Sequence, residues 1–399
     1  MVYDGEYVIA GAGLSGLLMA KQLVDAPDLD GRIVLIDSSF DRAPARTWCF
    51  WGEIPEFLAP YVEKTWRHMT VASSTERVTR RLDREPYHMI RAETFCTGLL
   101  NELEAHPQVR FLRGRVEDMF DTPDGALTRV DGRVVSSRWL FQSVRAPRLE
   151  RPLLQHFGGW EVETSRPIFD AESVTLMDFD LPRGSEEGGA TSFMYVVPTT
   201  PHRALVEFTE ISHRRRPRSF YDRHLASYLG RWTDEWRYLR TEYGAIPMDA
   251  SEVPQRTGQH IFHLGRAGGM TKPSSGYTLR RTVDQVESLV RGLSKHGVPR
   301  VRTRSKMRHR FLDRLFLKVL TNRPELGATL FTNLFFRNRF DTVLSFLGEK
   351  TSLWDEAKLV SSLPKAPFLE ELVGASPRTI SPGVRLALPG PSRLKRRAT

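Results

Sequence analysis

Cysteine is nearly absent: two in 399 residues, Cys49 and Cys96, too few for a disulfide framework or a thiolate metal cluster. The eleven histidines are scattered and neither cysteine has a partner at ligand spacing, so we expect no metal. No stretch reaches the roughly 18 uninterrupted apolar residues that a membrane-crossing helix needs. The polar start, Met1 to Glu6, lacks the apolar core of a secretory signal, which leads to the expectation of a reducing, cytoplasmic setting. Internal repeats are missing too. With 40% hydrophobic and 27% charged residues, the composition excludes a disordered chain and leaves a folded protein of two or three lobes.

Acid is the scarcer charge, 48 residues against 58 basic, for a net +10. The excess is clustered, at His213-Arg214-Arg215-Arg216-Pro217-Arg218, at Lys295, Arg300, Arg302, Arg304, Lys306, Arg308 and Arg310, and in a tail with Arg393, Lys395, Arg396 and Arg397. Such clusters suit an anionic lipid surface, nucleic acid or a solvated face. Segments 311–320 and 330–340 follow the second cluster and set Leu and Phe at helical spacing among Arg and Lys. That pattern favours helices lying in a lipid headgroup layer, against two buried core helices, and argues for a bilayer partner and no nucleic acid.

What is present begins at Tyr7-Val8-Ile9-Ala10-Gly11-Ala12-Gly13-Leu14-Ser15-Gly16. An apolar run reads as a buried parallel strand, and Gly-x-Gly-x-x-Gly turns it into a helix starting near Leu14. Gly11 makes the tight turn, Gly13 admits a pyrophosphate to the backbone, and Gly16 lets helix and strand pack closely. The phosphates would sit against N–H groups of Ala12 and the helix start. The next strand ends in Asp37, placed to bind ribose hydroxyls. A second glycine-rich stretch, Gly265 to Thr278, follows the strand-like Ile261–Leu264 and leads into a helix. Its Gly265, Gly268, Gly269, Pro273 and Gly276 suit a second contact to the same extended cofactor. Two such sites at opposite ends of the chain point to FAD rather than NAD.

Residues 1–40 read as the βαβ start of a doubly wound sheet. Residues 41–60 read as a loop and turn rich in aromatics, and helical periodicity returns at 92–103. Strand-like runs at 173–179, 192–198 and 203–210 predict a mostly antiparallel second sheet, followed by a helical pair over 219–232. The expected division is an FAD-binding lobe at 1–150 and 255–300, a substrate-binding sheet at 151–254, a helical membrane-facing region at 300–370 and a loose basic tail at 371–399.

The run Arg42-Ala43-Pro44-Ala45-Arg46-Thr47-Trp48-Cys49-Phe50-Trp51 resembles the TWCFW signature of bacterial flavin-dependent lycopene β-cyclases. Blocks at 86–91, 155–160, 207–209, 242–248, 267–278 and 362–369 resemble the same family, in order, over about residues 6–370. The resemblance implies the α/β Rossmann-like FAD-binding fold of the monooxygenase and reductase superfamily, with a mostly antiparallel substrate sheet and a helical C-terminal part. It further implies a carotenoid substrate, lycopene or a relative, cyclised at its ψ-ends to γ-carotene or β-carotene without net redox change. FAD would act in its reduced form, with NAD(P)H as reductant, in an enzyme lying peripherally on the cytoplasmic face of the membrane. Two blocks depart from the pattern: Gln142 stands where members carry an acid before Ser-Arg, and Arg266 stands where related monooxygenases carry an aspartate.

By the resemblance, Glu207 matches the first glutamate of the FLEET-like motif and is the acid/base group. Its strand neighbours support this reading. Leu205, Glu207 and Thr209 share one face, and a carboxyl among apolar neighbours keeps its proton to higher pH. Glu210 falls on the other face. Arg91, and more weakly Arg46, resemble the arginine that flavoproteins set against the FAD pyrophosphate; a surface ion pair is the alternative. Trp48, Phe50, Trp51, Phe193 and Tyr195 are candidates to line a polyene tunnel and offer π faces to a cation. The competing functions are a flavin-dependent isoprenoid reductase or monooxygenase, and a non-catalytic basic lipid-binding protein.

Overall fold

The computed structural model describes residues 3–40, 45–146, 149–181, 189–301 and 305–373. Within them lie eighteen strands and nine α-helices, numbered in chain order. The first sheet holds β1 (Gly5–Ala10), β2 (Ile33–Asp37), β8 (Val109–Arg113), β11 (Arg133–Gln142), β17 (Arg256–Thr257) and β18 (Ile261–His263), in the order β17-β18-β11-β1-β2-β8. β9 (Val116–Thr122) and β10 (Gly125–Val130) lead into β11 as an antiparallel meander. The pairings β11–β1, β1–β2, β2–β8 and β11–β18 are parallel, and the central β1 and β2 are buried on both faces and read as near-continuous apolar runs, one face under helices and the other against Ala126, Val130 and Val135 of the meander. The cover is α1 (Leu14–Val24), α2 (Ala92–Glu104) and α4 (Leu279–His296). α4 turns Val283, Val286, Leu289, Val290 and Leu293 inward at three- and four-residue spacing, against Leu17, Leu18 and Phe141 in one core. Gly297, with φ +68°, closes it.

The second sheet runs β16 (Trp236–Met248), β12 (Leu153–Thr164), β15 (Arg203–Ser212), β14 (Thr191–Thr200), β13 (Ser173–Asp178), β5 (His68–Ala72), β6 (Arg77–Arg81). It is antiparallel except where β13 meets β5. One face packs on α3 (Arg218–Leu229), through Val206 and Phe208 against Phe220, Leu225 and Leu229. α6 (Gly327–Phe336) and α7 (Phe340–Leu347) pack with Leu205 and Val197 on the other side. A third sheet, β3 (Thr47–Trp51), β7 (Tyr87–Arg91) and β4 (Val62–Trp66), bridges the two large ones. On β3, Trp48 and Phe50 face the core of the first sheet, while Cys49 and Trp51 face that of the second. α5 (Met307–Asn322), α8 (Leu353–Ser361) and α9 (Lys365–Val373) complete the C-terminal helices.

Four expectations need correction. Residues 47–51 form a strand, not part of a loop: both faces are apolar, so the period of two has no polar half to reveal it. The helical pair expected over 219–232 is the single helix α3, ended at Gly230. The second sheet is not confined to 151–254, since β5 and β6 close its edge. The helix expected to lie in the headgroup layer over 330–340 is largely core, because α6 buries Leu330, Phe331, Leu334 and Phe335. Arg302, Arg304 and residues 374–399 of the expected tail lie outside the described residues, whereas 371–373 end α9.

Phe335 is 1% exposed in the core beneath the second sheet. Phe335→Ala should therefore cost about 3–5 kcal/mol in urea denaturation of the detergent-free protein. A helix whose apolar face served a bilayer would lose almost nothing in that measurement.

Candidate active site

The first glycine turn is shaped by contacts that leave one side open. Gly11 has φ +105°, and a β-carbon there would sit 2.3 Å from Ser143 Oγ. A β-carbon on Gly16 would lie 1.8 Å from the Gly11 carbonyl oxygen, so the helix packs onto the turn only as glycine. At Gly13 a β-carbon would meet nothing within 4 Å. Gly13 is also the N-cap of α1 and supplies no side-chain cap, which leaves the first-turn N–H groups from Leu14 onward without that partner. Asp37 at the end of β2 accepts from Ala12 N at 2.7 Å and from Ser39 N at 3.1 Å, pinning the turn.

The second glycine stretch meets the first. Gly265 (φ +55°) passes so close to the start of α1 that a β-carbon would be 2.9 Å from Ser15 Oγ, and its N–H donates to Gln285 Oε1 at 2.9 Å. The single 3₁₀ turn Gly265–Gly268 ends at Gly269, φ +75°. The loop is then anchored by buried Lys272, whose Nζ donates to Asp313 Oδ2 at 2.8 Å and Glu349 Oε1 at 3.0 Å. Burial alone would raise Glu349, but Lys272 and Arg281 pull it down to about 2. Two glycine turns, an open Gly13 and a pinned acid at the strand end fit an extended dinucleotide.

A cavity of about 880 Å³ opens beside this loop, lined by Gly268, Gly269 and Pro273 on one side and by Cys49, Phe50, Trp51 and Tyr277 on the other. Trp51 meets Tyr277 edge-on at 4.5 Å. Of the aromatic candidates, Phe50 and Trp51 border the cavity. Trp48 packs on Phe95, Phe193 on Phe179, and Tyr195 joins a buried hydroxyl cluster. In that cluster Tyr87 Oη lies 2.6 Å from Tyr277 Oη and 2.9 Å from Tyr195 Oη. Burial pushes the neighbouring Cys49 thiol up to about 12, so it stays neutral.

Next to Cys49 and Tyr277 sits Glu207, 9% exposed. Its carboxyl hydrogen-bonds that of Glu242 on β16, although β12 runs between their strands. Gly159 of β12 is opposite both, and a β-carbon there would fall 2.8 Å from Glu207 Cγ and 3.3 Å from Glu242 Cγ. Burial, then the adjacent Glu242 charge, drives Glu207 well above the ordinary carboxylate range. Burial raises Glu242 as well, opposed by Arg240 and by bonds from Glu207 and from Thr47 N, the last at 2.9 Å. Arg240 also donates to Thr47 Oγ1 at 2.8 Å, so the start of the aromatic strand is tied to the acid pair.

A family model described as "Lycopene cyclase protein" matches residues 6–373. The chain belongs to the lycopene cyclase protein family. No curated protein sequence matches the chain. Among solved structures, a geranylgeranyl bacteriochlorophyll reductase-like protein from Thermoplasma acidophilum is similar over 93% of this chain and 98% of its own, at 12% identity and TM-score 0.59. A flavin-dependent brominase is similar over 94% and 100%, at 13% and 0.58. Aklavinone-11 hydroxylase, solved with FAD and aklavinone, is similar over 74% and 63%, at 16% and 0.55. These likenesses establish the flavoprotein fold.

Not every residue expected in the site of this cyclase-family chain is brought to it. Arg91 makes four hydrogen bonds to Glu63 and Glu161, so its guanidinium is occupied by carboxylates and we withdraw it from the phosphate contacts. Arg46 is exposed, and its carbonyl accepts from Ala92 N at 2.9 Å. Glu210 faces away, bonded to Ser212 and Arg216 and near His156. Glu242, Gly159 and Lys272 lie in the family-like blocks at 242–248, 155–160 and 267–278, but the sequence assigns them no role. The available signal was the Gly158-Gly159 pair inside a strand, since a strand glycine marks a close approach.

Gly13→Val should remove bound FAD, read as loss of visible flavin absorbance in the purified protein, with far-ultraviolet circular dichroism unchanged. Retained flavin would mean that the open side of Gly13 is not where the cofactor lies.

Proposed function

We propose that this protein is an FAD-dependent lycopene β-cyclase that closes the ψ-ends of lycopene into β-rings without net oxidation, giving γ-carotene or β-carotene. The observation that carries the reading is a buried carboxyl, Glu207, brought against Glu242 at the side-chain-free Gly159, where burial and the second carboxyl favour its acid form, in a chain of the lycopene cyclase family. Ring closure needs a proton placed on the terminal alkene, a shielded cation, and loss of a different proton. Glu207 is the donor: its O–H bond breaks as a C–H bond forms at the terminal alkene. The second alkene then closes the ring onto the resulting cation. The ψ-end reaches Glu207 between Cys49 and Tyr277, both neutral groups that do not compete for the proton. Trp51, on the same face of β3 as Cys49 and in edge contact with Tyr277, offers its ring to the cation.

FAD would be held by Gly11, Ala12, Gly13, Leu14, Gly16 and Asp37 on the first turn, and by Gly265, Gly268, Gly269, Pro273 and Gly276 on the second. When bound and reduced by NAD(P)H it supplies electron density that stabilises nearby positive charge.

Among the described residues no helix is long and apolar enough to cross a membrane. The substrate is lipid-dissolved, and the N-terminal ends of α5 and α8 offer a surface to meet it. Met307 is 78% exposed and Trp354 86%, with Phe311 and Leu353 exposed beside them. α5 and α8 are joined there by Arg308 and Glu356 at 2.8 Å, and Lys306 and Arg310 border the cavity. Apolar tips among cations match the chemistry of an anionic bilayer surface. Of the two expected segments this drops 330–340 and the buried Leu317, Val319 and Leu320 of 311–320, and places the membrane contact at the outer ends of α5 and α8, peripheral to the cytoplasmic leaflet.

The test is anaerobic incubation of the protein with lycopene in anionic liposomes, FAD and NADPH, followed by chromatography and mass spectrometry. The expected product has β-ends and unchanged mass, forms in excess over NADPH consumed, and falls at least about 10²-fold in Glu207→Gln. A product changed in mass, with NADPH consumed one for one, would assign the protein to the reductases or monooxygenases of the same fold. No turnover and no flavin would leave a lipid-binding protein.

A further inference from the structure

A donor that releases its proton once per ring must be held in the acid form and then returned to it. β15 and β16 flank β12, which puts their backbones roughly 10 Å apart. Glutamates on them meet only because β12 has no side chain at Gly159. We propose that Glu207 and Glu242 work as one carboxyl pair carrying a single proton: Glu242 stays ionised and keeps the proton on Glu207, and after donation Glu207 takes back the proton the ring gives up. The proposal rests on the reading of Glu207 as donor.

The balance closes. The Glu207 O–H bond breaks and a C–H bond forms on the terminal alkene. After ring closure a C–H bond breaks, its electrons become the ring double bond, and its proton returns to Glu207. Nothing is consumed, and the carbon that gains a proton and the carbon that loses one flank the same ring carbon, so one carboxyl can serve both. Two adjacent buried carboxylates repel, which makes the ionised pair a strong base.

The groups facing the pair are few. β16 contributes Arg240, which opposes the rise of both glutamates; β14 contributes Tyr195, directly opposite Glu207 in the strand register; β3 contributes Cys49; Tyr277 precedes α4; and Tyr87 of β7 is hydrogen-bonded to Tyr195 and Tyr277. Arg240 is shared with Glu161, 3.3 Å away, and with Thr47. Burial raises the thiol and the three phenols, so they stay neutral where the pair titrates. Glu242 is therefore the negative charge beside Glu207. It acts through Glu207, as a positioning residue, and is the element the donor needs to remain an acid.

The experiment is the pH dependence of kcat for β-ring formation by full-length holoprotein on lycopene liposomes. Glu242→Gln keeps the shape of the side chain and removes its charge, so Glu207 loses its proton more easily. The alkaline limb should move down by about one pH unit or more, which is roughly tenfold less activity on that side, with flavin content and melting temperature retained. Gly159→Ala, which forces the two carboxyls apart, should shift the limb in the same direction and carries the test if Glu242→Gln is inactive. A limb at its wild-type position in both variants, with Glu207→Gln inactive, overturns the pair and leaves Glu207 as donor. Wild-type turnover by Glu207→Gln overturns the underlying reading as well.

Discussion

The hydrogen bond between Glu207 and Glu242 can exist only because a strand between them carries a bare α-carbon. Burying one carboxyl already favours its neutral form, and setting a second beside it makes full ionisation of both too costly. Much of the surrounding structure serves that contact. Gly159 clears the space, and Gly158 on the opposite face lets Tyr221 of α3 sit where a β-carbon would come within 2.5 Å of its own. Thr47 and Arg240 hold Glu242 from one side. The strand carrying Thr47 continues into Cys49, Phe50 and Trp51 at the cavity. One short segment thus fixes both the acid and the aromatic wall.

The two glycine turns of the cofactor lobe meet each other. Gly265 lies against Ser15, so sequence positions some 250 residues apart form one edge, and the loop beyond it is tied down through Lys272 to α5 and Glu349. Removing one partner from such a buried ionic cluster leaves an uncompensated charge, so its value is in fixing position more than in net stability. Under the proposed function, the cavity bordered by this loop and β3 is the place for the flavin ring and the polyene end.

The Gly11–Gly16 turn, Asp37, α2 and the strands of the second sheet were legible from local pattern, because each carries its own signal: a turn chemistry, a 3.6 period or a period of two. Glu207 and Glu242 each fall in a family-like block, at 207–209 and 242–248, but their contact is not legible, since a side-chain pair across an intervening strand leaves no mark at fixed spacing. The strand Thr47–Trp51 was read as loop because it has two apolar faces, one for each core. α6 was read as membrane-facing because a core helix with scattered arginines and an interfacial helix share one pattern; only the neighbours that cover Leu334 and Phe335 distinguish them. Arg91 matched a phosphate-binding position in sequence, but Glu161 and Glu63 fill its guanidinium, which no local pattern reveals.

The most direct test of the account is the infrared carbonyl stretch of protonated carboxyl groups near neutral pH, compared between the wild-type protein and Glu207→Gln. The account predicts a band from a buried carboxylic acid in the wild type that persists above the ordinary titration range of glutamate and is absent from Glu207→Gln. A wild-type spectrum without that band, both glutamates ionised near neutrality, would contradict it.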